Sequence, residues 1–427
     1  MPVGVAGGVI SRCDELAAIS ARSDGLQRLD LTAEHARANE LFMVWARNQG
    51  MRTWVDVAGN VCARREGATP DAPALVLGSH LDTVPDAGWY DGALGVVVAL
   101  AAAQRLARTP LPFALEVVGF WGEEGSRFPA ALLGSRAFSG SWTEDLWTCC
   151  DSDGVNLADA FRAFGLDPEQ VGRAARAPHD LVGYIEVHIE QGPVLEDADA
   201  PLGWVTSISG ARRLRLEVHG EAAHAGTTPY DKRRDALVGA AEIVASTERI
   251  ARASAGVATI GQLEVEHGAV NVVAGRVDLT LDVRAETDAY RDELLQKIVR
   301  DAHRLCSARG LSLVVEITHE ARTVECAPGL ADAVADGIRD IGFDPLPLWS
   351  RAGHDAMVLA DVTDVGMMFV RCAGGVSHHP DERVTPADAE RAVDALVAAV
   401  TRLAERSHSS QGDPPARTRR DDALTSR

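Results

Sequence analysis

Residues 74–106 read ALVLGSHLDTVPDAGWYDGALGVVVALAAAQRL. The short apolar run Ala74–Gly78 is bounded by small residues and reads as a buried strand. Gly92–Leu106, rich in Ala, Val and Leu, reads as a helix. Just downstream, Phe113–Trp121 (FALEVVGFW) reads as a second strand. Strands alternating with apolar helices predict a parallel α/β sheet covered on both faces. On that reading His80 and the pair Glu123/Glu124 fall just beyond strand carboxyl ends, the edge where open α/β sheets bind ligands. Upstream, residues 33–49 read as a helix, with Thr32 as N-cap and Gly50 as its stop. The first 25 residues show no clear pattern and are expected to be loosely ordered at their start.

The pattern changes near Gly210. Arg212–His219 alternates like a strand, Ala236–Ala253 is helical, and Thr259–Glu266 and Val277–Arg284 are strands. Asp288–Arg309 is helical, with Thr287 as N-cap and Leu294, Leu295, Ile298 and Leu305 on one face, and Leu311–Thr318 is a last strand. This β-α-β-β-α-β order is the ferredoxin-like plan. It predicts a catalytic domain in two parts, 1–209 and 321–406, interrupted by an insert over 210–320. The insert is of normal small-domain size. Phe343–Pro347 with the following GHDAM, Val365–Val370 and the helix Ala387–Ala404 are expected to complete the first domain. Residues 407–427, polar and aperiodic with two Pro, are expected to be a disordered tail.

With 427 residues, 46% of them hydrophobic and 24% charged, the chain has the composition of a soluble globular protein with a sizeable core. Sixty-two acidic against 42 basic residues leave a formal charge of −20, which argues against nucleic-acid or anionic-membrane partners. The longest apolar-rich run, around 95–103, is far short of the ~18–20 residues of a membrane span. The opening MPVGV lacks the cationic start of a secretory signal, and seven scattered cysteines do not make a disulfide framework. A cytoplasmic location is therefore expected.

Five segments carry residues suited to metal chemistry. In the first, GSHLDTV followed by Asp91, an imidazole (His80) has a carboxylate two residues on (Asp82) to orient it. Taken alone, His80 reads more readily as a loop histidine and Asp91 as a helix cap. In GEEGSRF the adjacent Glu123 and Glu124 point different ways, so one can bind metal while the other moves protons. In YIEVHIEQGP, alternation puts Glu186, His188 and Glu190 on one face of a strand, where His188 could also be a structural core residue. In GEAAHAGTTP, His224 sits among small residues before a turn and is expected to be exposed. In GVSHHPDE, at most one of His378 and His379 is expected to reach a given metal. Pooled, these segments hold a two-metal inventory with one bridging carboxylate and a spare glutamate. Mixed imidazole and carboxylate ligation suits Zn²⁺ and also admits Mn²⁺, Co²⁺ or Ni²⁺.

GSHLDTV, GEEGSRF, HIEQGP, GEAAHAGTTP, GAVNVVAG, AGHDA and GVSHHPDE, in this order from about Asp14 to Glu405, closely resemble the hydantoinase/carbamoylase branch of the M20 metallopeptidases. That branch holds N-carbamoyl-L-amino-acid hydrolases, β-ureidopropionases and allantoate amidohydrolases. The resemblance implies a catalytic domain with two divalent ions, interrupted by a lid that forms a homodimer. It implies His80 and His188 as ligands of one ion, Glu124 and His378 of the other, and Asp91 as the bridge. Glu123 would be the general base and Asp82 the partner of His80. His224 would polarise the scissile carbonyl in the partner subunit's site. Gln191, Asn271, Arg284 and the Gly353 loop would hold a small ureido acid, with Arg284 on its carboxylate.

Three positions depart from the branch pattern. Arg351 stands where Gly is usual, His379 where Asn is usual, and Ala274 where Pro is common. The first bears on which substrate is taken. The expected reaction is hydrolysis of an N-carbamoyl-L-amino acid. Allantoate hydrolysis is the near alternative, and a dipeptidase or aminoacylase activity, or a non-catalytic scaffold, the more distant ones.

Overall fold

The computed structural model describes residues 8–410. The chain forms two compact units. The first takes in the chain up to Gly203, then Pro328–Leu346 and the chain from Val362; the second is Trp204–Ala327 with Pro347–Asp361.

In the first unit six strands lie in the order 52–55, 61–65, 114–120, 74–80, 181–189, 365–370. The last four are parallel, and the first two join antiparallel at the 114–120 side. Strands Ala74–His80, Ala114–Phe120 and Val365–Val370 are buried at every residue, as a sheet covered on both faces requires. Helix Ala93–Arg105 packs on the central strands, and helices Pro328–Asp340 and Pro386–Ser410 pack on each other. Four strand ends therefore open on one edge, and the segments carrying His80, Glu123, His188 and His378 lie there.

Several elements of this unit are not in the sequence reading, helices Leu133–Ser139, Leu157–Ala163 and Pro328–Asp340 among them. Residues Val9–Ala17 form a helix whose Val9, Cys13 and Leu16 are buried, a helical period in a stretch too short to declare itself. The hairpin Arg52–Val55/Val61–Arg65 lacks alternation, because its buried Arg64 reaches back to Glu116 in the sheet. At the other end, the last helix runs to Ser410, so the first residues of the expected tail are helical; the remainder of that expectation lies outside the described residues.

The second unit holds a four-stranded antiparallel sheet in the order 312–320, 211–219, 276–284, 257–265, with helices Ala236–Arg252 and Asp288–Ala308. Numbered along the chain this is 4-1-3-2, the ferredoxin-like arrangement. Leu214, Leu216 and Val218 alternate into one core with Leu279, Leu281, Val283, Ile243 and Ile298. The side chains of Asp235 and Thr287 cap the two helices. The opposite sheet face is laced by Arg213–Asp282, Arg284–Asp282 and Arg215–Asp278 pairs. The unit is wider than the 210–320 insert expected from sequence. Strand Leu346–Ser350 pairs with Leu202–Ile208, so the GHDA segment belongs here and not to the returning part of the first unit.

Candidate metal centre

His80 ends its strand, and Asp91 follows eleven residues on, at a turn. The Ala93 amide donates to the Asp91 carbonyl at 2.6 Å across Gly92, whose φ is 63° and ψ −53°. This is a γ-turn of the rarer, strained hand. A Cβ on Gly92 would lie 2.5 Å from the His80 ring, so only glycine lets the turn press Asp91 towards that imidazole.

Asp91 is the hub. Its Oδ1 lies 3.1 Å from His188 Nε2 and 3.9 Å from His80 Nε2, and its Oδ2 lies 3.1 Å from His378 Nε2. Glu124 Oε1 is 3.4 Å from the same His378 nitrogen. Three donor groups result, His80–Asp91–His188, Asp91–Glu124–His378 and His80–Glu123–Glu124, each with donor atoms within 4.8 Å of one another, and the first two share Asp91. The two oxygens of one carboxylate serve one group each. Glu123 stands beside them, its Oε2 4.0 Å from His80 Nε2.

Both buried imidazoles are set by the main chain. His80 Nδ1–H faces the Asp82 carbonyl at 3.1 Å, and His188 Nδ1–H the Ile189 carbonyl at 2.9 Å. With those protons on Nδ1, each Nε2 is the ring nitrogen turned to the centre, free to act as a ligand once its imidazole is neutral. The Asp82 side chain lies beside His80 and also serves the neighbouring turn. Its carboxylate accepts the amides of Glu123 and Glu124 at 3.3 and 3.1 Å, and so shapes the turn that aims both glutamates, while remaining 3.6 Å from His80 Nδ1. Arg28, fully buried, donates to the Leu81 and Leu16 carbonyls and fixes this segment from behind.

The centre is electrostatically loaded. Hydrogen bonds to Asp91 and Glu124 push His378 up to about 10. Burial works against charge on His80 and His188, but Asp82 and Glu123 at the one, and Asp91 at the other, outweigh it and raise both. Burial alone would raise Asp91; its histidine neighbours hold it well below the usual carboxylate range instead. Each imidazole keeps a proton because carboxylates crowd it. A divalent cation satisfies the same field with the histidines neutral, and the imidazole–carboxylate donor set fits such an ion.

His379 turns away to Asp381, so the His pair resolves in favour of His378. His378 and Gln191 both adopt left-handed backbone, φ 55° each, a strain of about 1–3 kcal/mol per residue that clusters at functional sites. Gln191 donates to Asp91 Oδ2 at 3.0 Å and to Ser377 Oγ at 3.1 Å. Of the three residues that alternation put on one face, only His188 joins the centre. Glu186 accepts from Ser79, and Glu190 accepts the Val194 and Leu195 amides. Sequence reasoning gave no role to Ser377, Glu382 or Arg28, and no spacing rule marks them.

The remaining predicted residues lie in the second unit. His224 is exposed, and its Nδ1 accepts the Gly226 and Thr227 amides, which leaves the ring proton on Nε2. The Ala225 amide bonds to the Asn271 carbonyl at 2.9 Å, so His224 and Asn271 share one short ribbon. Arg284 uses Nε and Nη2 on Asp282 and Nη1 on the Arg351 carbonyl, three of its five N–H groups. Gly353 lies in the same loop as Arg351, whose guanidinium folds over Trp349. Ser350 Oγ and His354 Nε2, 2.7 Å apart, brace that loop.

Imidazole and carboxylate donors at the carboxyl edge of a parallel sheet, with a spare glutamate beside them, define a metal-dependent hydrolase. The profile described as peptidase family M20/M25/M40 matches residues 76–402. An N-carbamoyl-L-amino acid amidohydrolase of Geobacillus stearothermophilus is 38% identical over 90% of this chain and 94% of its own. A probable allantoate deiminase of Oryza sativa subsp. japonica is 37% identical over 91% and 86%. The crystal structure of a hydantoinase/carbamoylase family amidase from Burkholderia multivorans is 34% identical, covers 93% of this chain and 97% of its own, and superposes with a TM-score of 0.85. The chain belongs to the M20 family, in its hydantoinase/carbamoylase branch, and is a metal-dependent amidohydrolase.

Proposed function

We propose that this enzyme hydrolyses the ureido C–N bond of N-carbamoyl-L-amino acids, with the related ureido acid allantoate as the second candidate, using two divalent ions. The observation that carries the two-ion reading is Asp91, whose oxygens face two separate donor groups. His80 and His188 would hold one ion, Glu124 and His378 the other, and Asp91 both. Divalent ions supply Lewis acidity there, lowering the pKa of water and polarising a carbonyl. Zn²⁺ suits the donors best, and Mn²⁺, Co²⁺ and Ni²⁺ remain compatible.

The chain's own residues do the rest. Glu123, not engaged in either Asp91 group, takes the proton of the attacking water and passes it to the departing nitrogen as the C–N bond breaks. The Nε2–H of His224 is a donor suited to the oxyanion that develops on the carbonyl. Arg284, pre-oriented by Asp282 and the Arg351 carbonyl, has two N–H groups left for a substrate carboxylate. Gln191, Asn271 and the Gly353 loop complete the substrate contacts in this reading. Allantoate stays in view because plant allantoate deiminases match along most of their length.

A panel of N-carbamoyl-L-amino acids, N-carbamoyl-β-alanine, allantoate and dipeptides, assayed for ammonia and amine release with each of the four metals, tests this. Turnover of dipeptides and of no ureido compound would overturn it. Arg351→Gly, run alongside, is expected to change the preferred ureido acid and not the reaction. We further propose a homodimer built through the second unit, as lid, in which His224 serves the partner's site. Mixing His224→Ala with Glu123→Gln chains should then restore activity that neither has alone; no restoration would argue for self-contained subunits. Seven free cysteines support a reducing compartment, the cytoplasm; recovery from a periplasmic or secreted fraction would contradict this.

A further inference from the structure

Glu382 lies 291 residues from Asp91 in sequence and is 0% exposed, and no Lys, Arg or His among the described residues pairs with it. A buried carboxylate without a cation is costly, so its contacts ask for an explanation. Its Oε1 accepts the amides of Tyr90 and Asp91, at 2.8 and 3.1 Å. Its Oε2 lies 3.2 Å from the Ser377 hydroxyl, which is 3.0 Å from Asp91 Oδ2. A Cβ on Gly88 would come within 2.2 Å of the Glu382 carboxyl carbon, so the 88–91 loop wraps this side chain closely.

We infer that Glu382 is a positioning residue for the bridging carboxylate: it grips the Asp91 main chain directly and the Asp91 side chain through Ser377. The inference rests on the two-ion reading above. Asp91 sits in a strained γ-turn, and the helix that follows offers its amide no acceptor. Glu382 supplies that acceptor from the far side of the loop. Ser377 has one proton for two carboxylates, and Gln191 donates into both Ser377 and Asp91, so the Asp91 carboxylate is held in one orientation. What matters in this account is the reach of an acceptor oxygen, not the charge of Glu382.

Two substitutions separate reach from charge. Glu382→Gln keeps an acceptor at the same distance and removes the charge. Glu382→Asp keeps the charge and withdraws the oxygens by one methylene. The metal-free proteins would be titrated with Co²⁺, followed by visible absorbance, and with Zn²⁺ against a competing chelator. Glu382→Gln is expected to bind within about 3-fold of the wild type. Glu382→Asp is expected to bind some 10–100-fold more weakly, the usual loss when a group supporting a metal ligand is removed. Wild-type affinity in Glu382→Asp, or equal losses in both variants, would overturn the inference. Should Glu382→Asp not fold, Ser377→Ala carries the test: it breaks the link to the Asp91 side chain and should weaken binding by about 3–10-fold, and unchanged affinity there would count against the inference. A wild-type protein that takes up only one equivalent of Co²⁺ would instead refute the two-ion reading, whatever the variants do.

Discussion

Glu123 and Glu124 are neighbours in the chain, and the turn around them directs their carboxylates to different partners. Glu124 faces His378 at 3.4 Å; Glu123 stands 4.0 Å from His80, outside both Asp91 groups. Glu123→Gln should therefore leave Co²⁺ or Zn²⁺ affinity within a few-fold of the wild type while kcat falls about 10²–10⁴-fold, the scale of a lost general base. A variant that keeps wild-type kcat would remove Glu123 from the proton path. At this scale the imidazoles and carboxylates that the structure brings together were readable from the sequence because four short segments carry them. The supports were not. Glu382, Ser377 and Arg28 act mostly through contacts to residues that are distant in the chain, and a lone acid, hydroxyl or guanidinium carries no local signature of such partners.

Among the elements, the Asp91–Gly92–Ala93 turn carries most of the burden. It joins a strand reading to a helix reading that were both plain in the sequence, yet its γ-turn geometry was not. Gly92→Ala should lower the stability of the metal-free protein by about 1–3 kcal/mol, since the backbone is strained for any side chain. It should also weaken metal binding, because the added methyl meets the His80 ring. Urea unfolding and a metal titration check the two halves separately; unchanged values in both would mean the turn relaxes without cost. The caps at Thr32 and Thr287 and the alternating strands of the second unit followed local rules and were legible. The 9–17 helix and the 52–65 hairpin were not, since a two-turn helix and a strand with a buried arginine both blur the periodicity that identifies them. The placement of 347–361 depends on a strand pairing with 202–208, a long-range choice that no window of sequence records.

For the molecule as a whole, the crowded carboxylates predict how stability follows pH. His378, raised to about 10, and His80 and His188, also raised, stabilise the metal-free fold fully below the ordinary imidazole value of about 6.5. That contribution is lost as pH climbs through the folded values. Glu382, pushed up to about 7 by burial and by Asp91, acts in the same direction at lower pH, because the folded state holds a proton that the unfolded state has released. The melting temperature of the metal-free protein should fall between pH 6.5 and 10, less steeply in His378→Ala, and metal affinity should rise over the same interval. A metal-free melting temperature that increases over this range would contradict the assignment. A few of the chain's acidic residues thus have a local electrostatic role: crowded at one centre, they hold its histidines protonated.

The donors at 80, 91, 124 and 188 precede the second unit in the chain, and His378 follows it. On the proposed ligand set, the ribosome would deliver four of the five donors, then make the whole inserted unit before the fifth emerges. The neighbouring strand Val365–Val370 and the clamp at Glu382 arrive equally late. A nascent chain thus holds the His80–Asp91–His188 group long before the group that needs His378 can exist. Under the two-ion proposal, loading of the second ion would be tied to completion of the polypeptide.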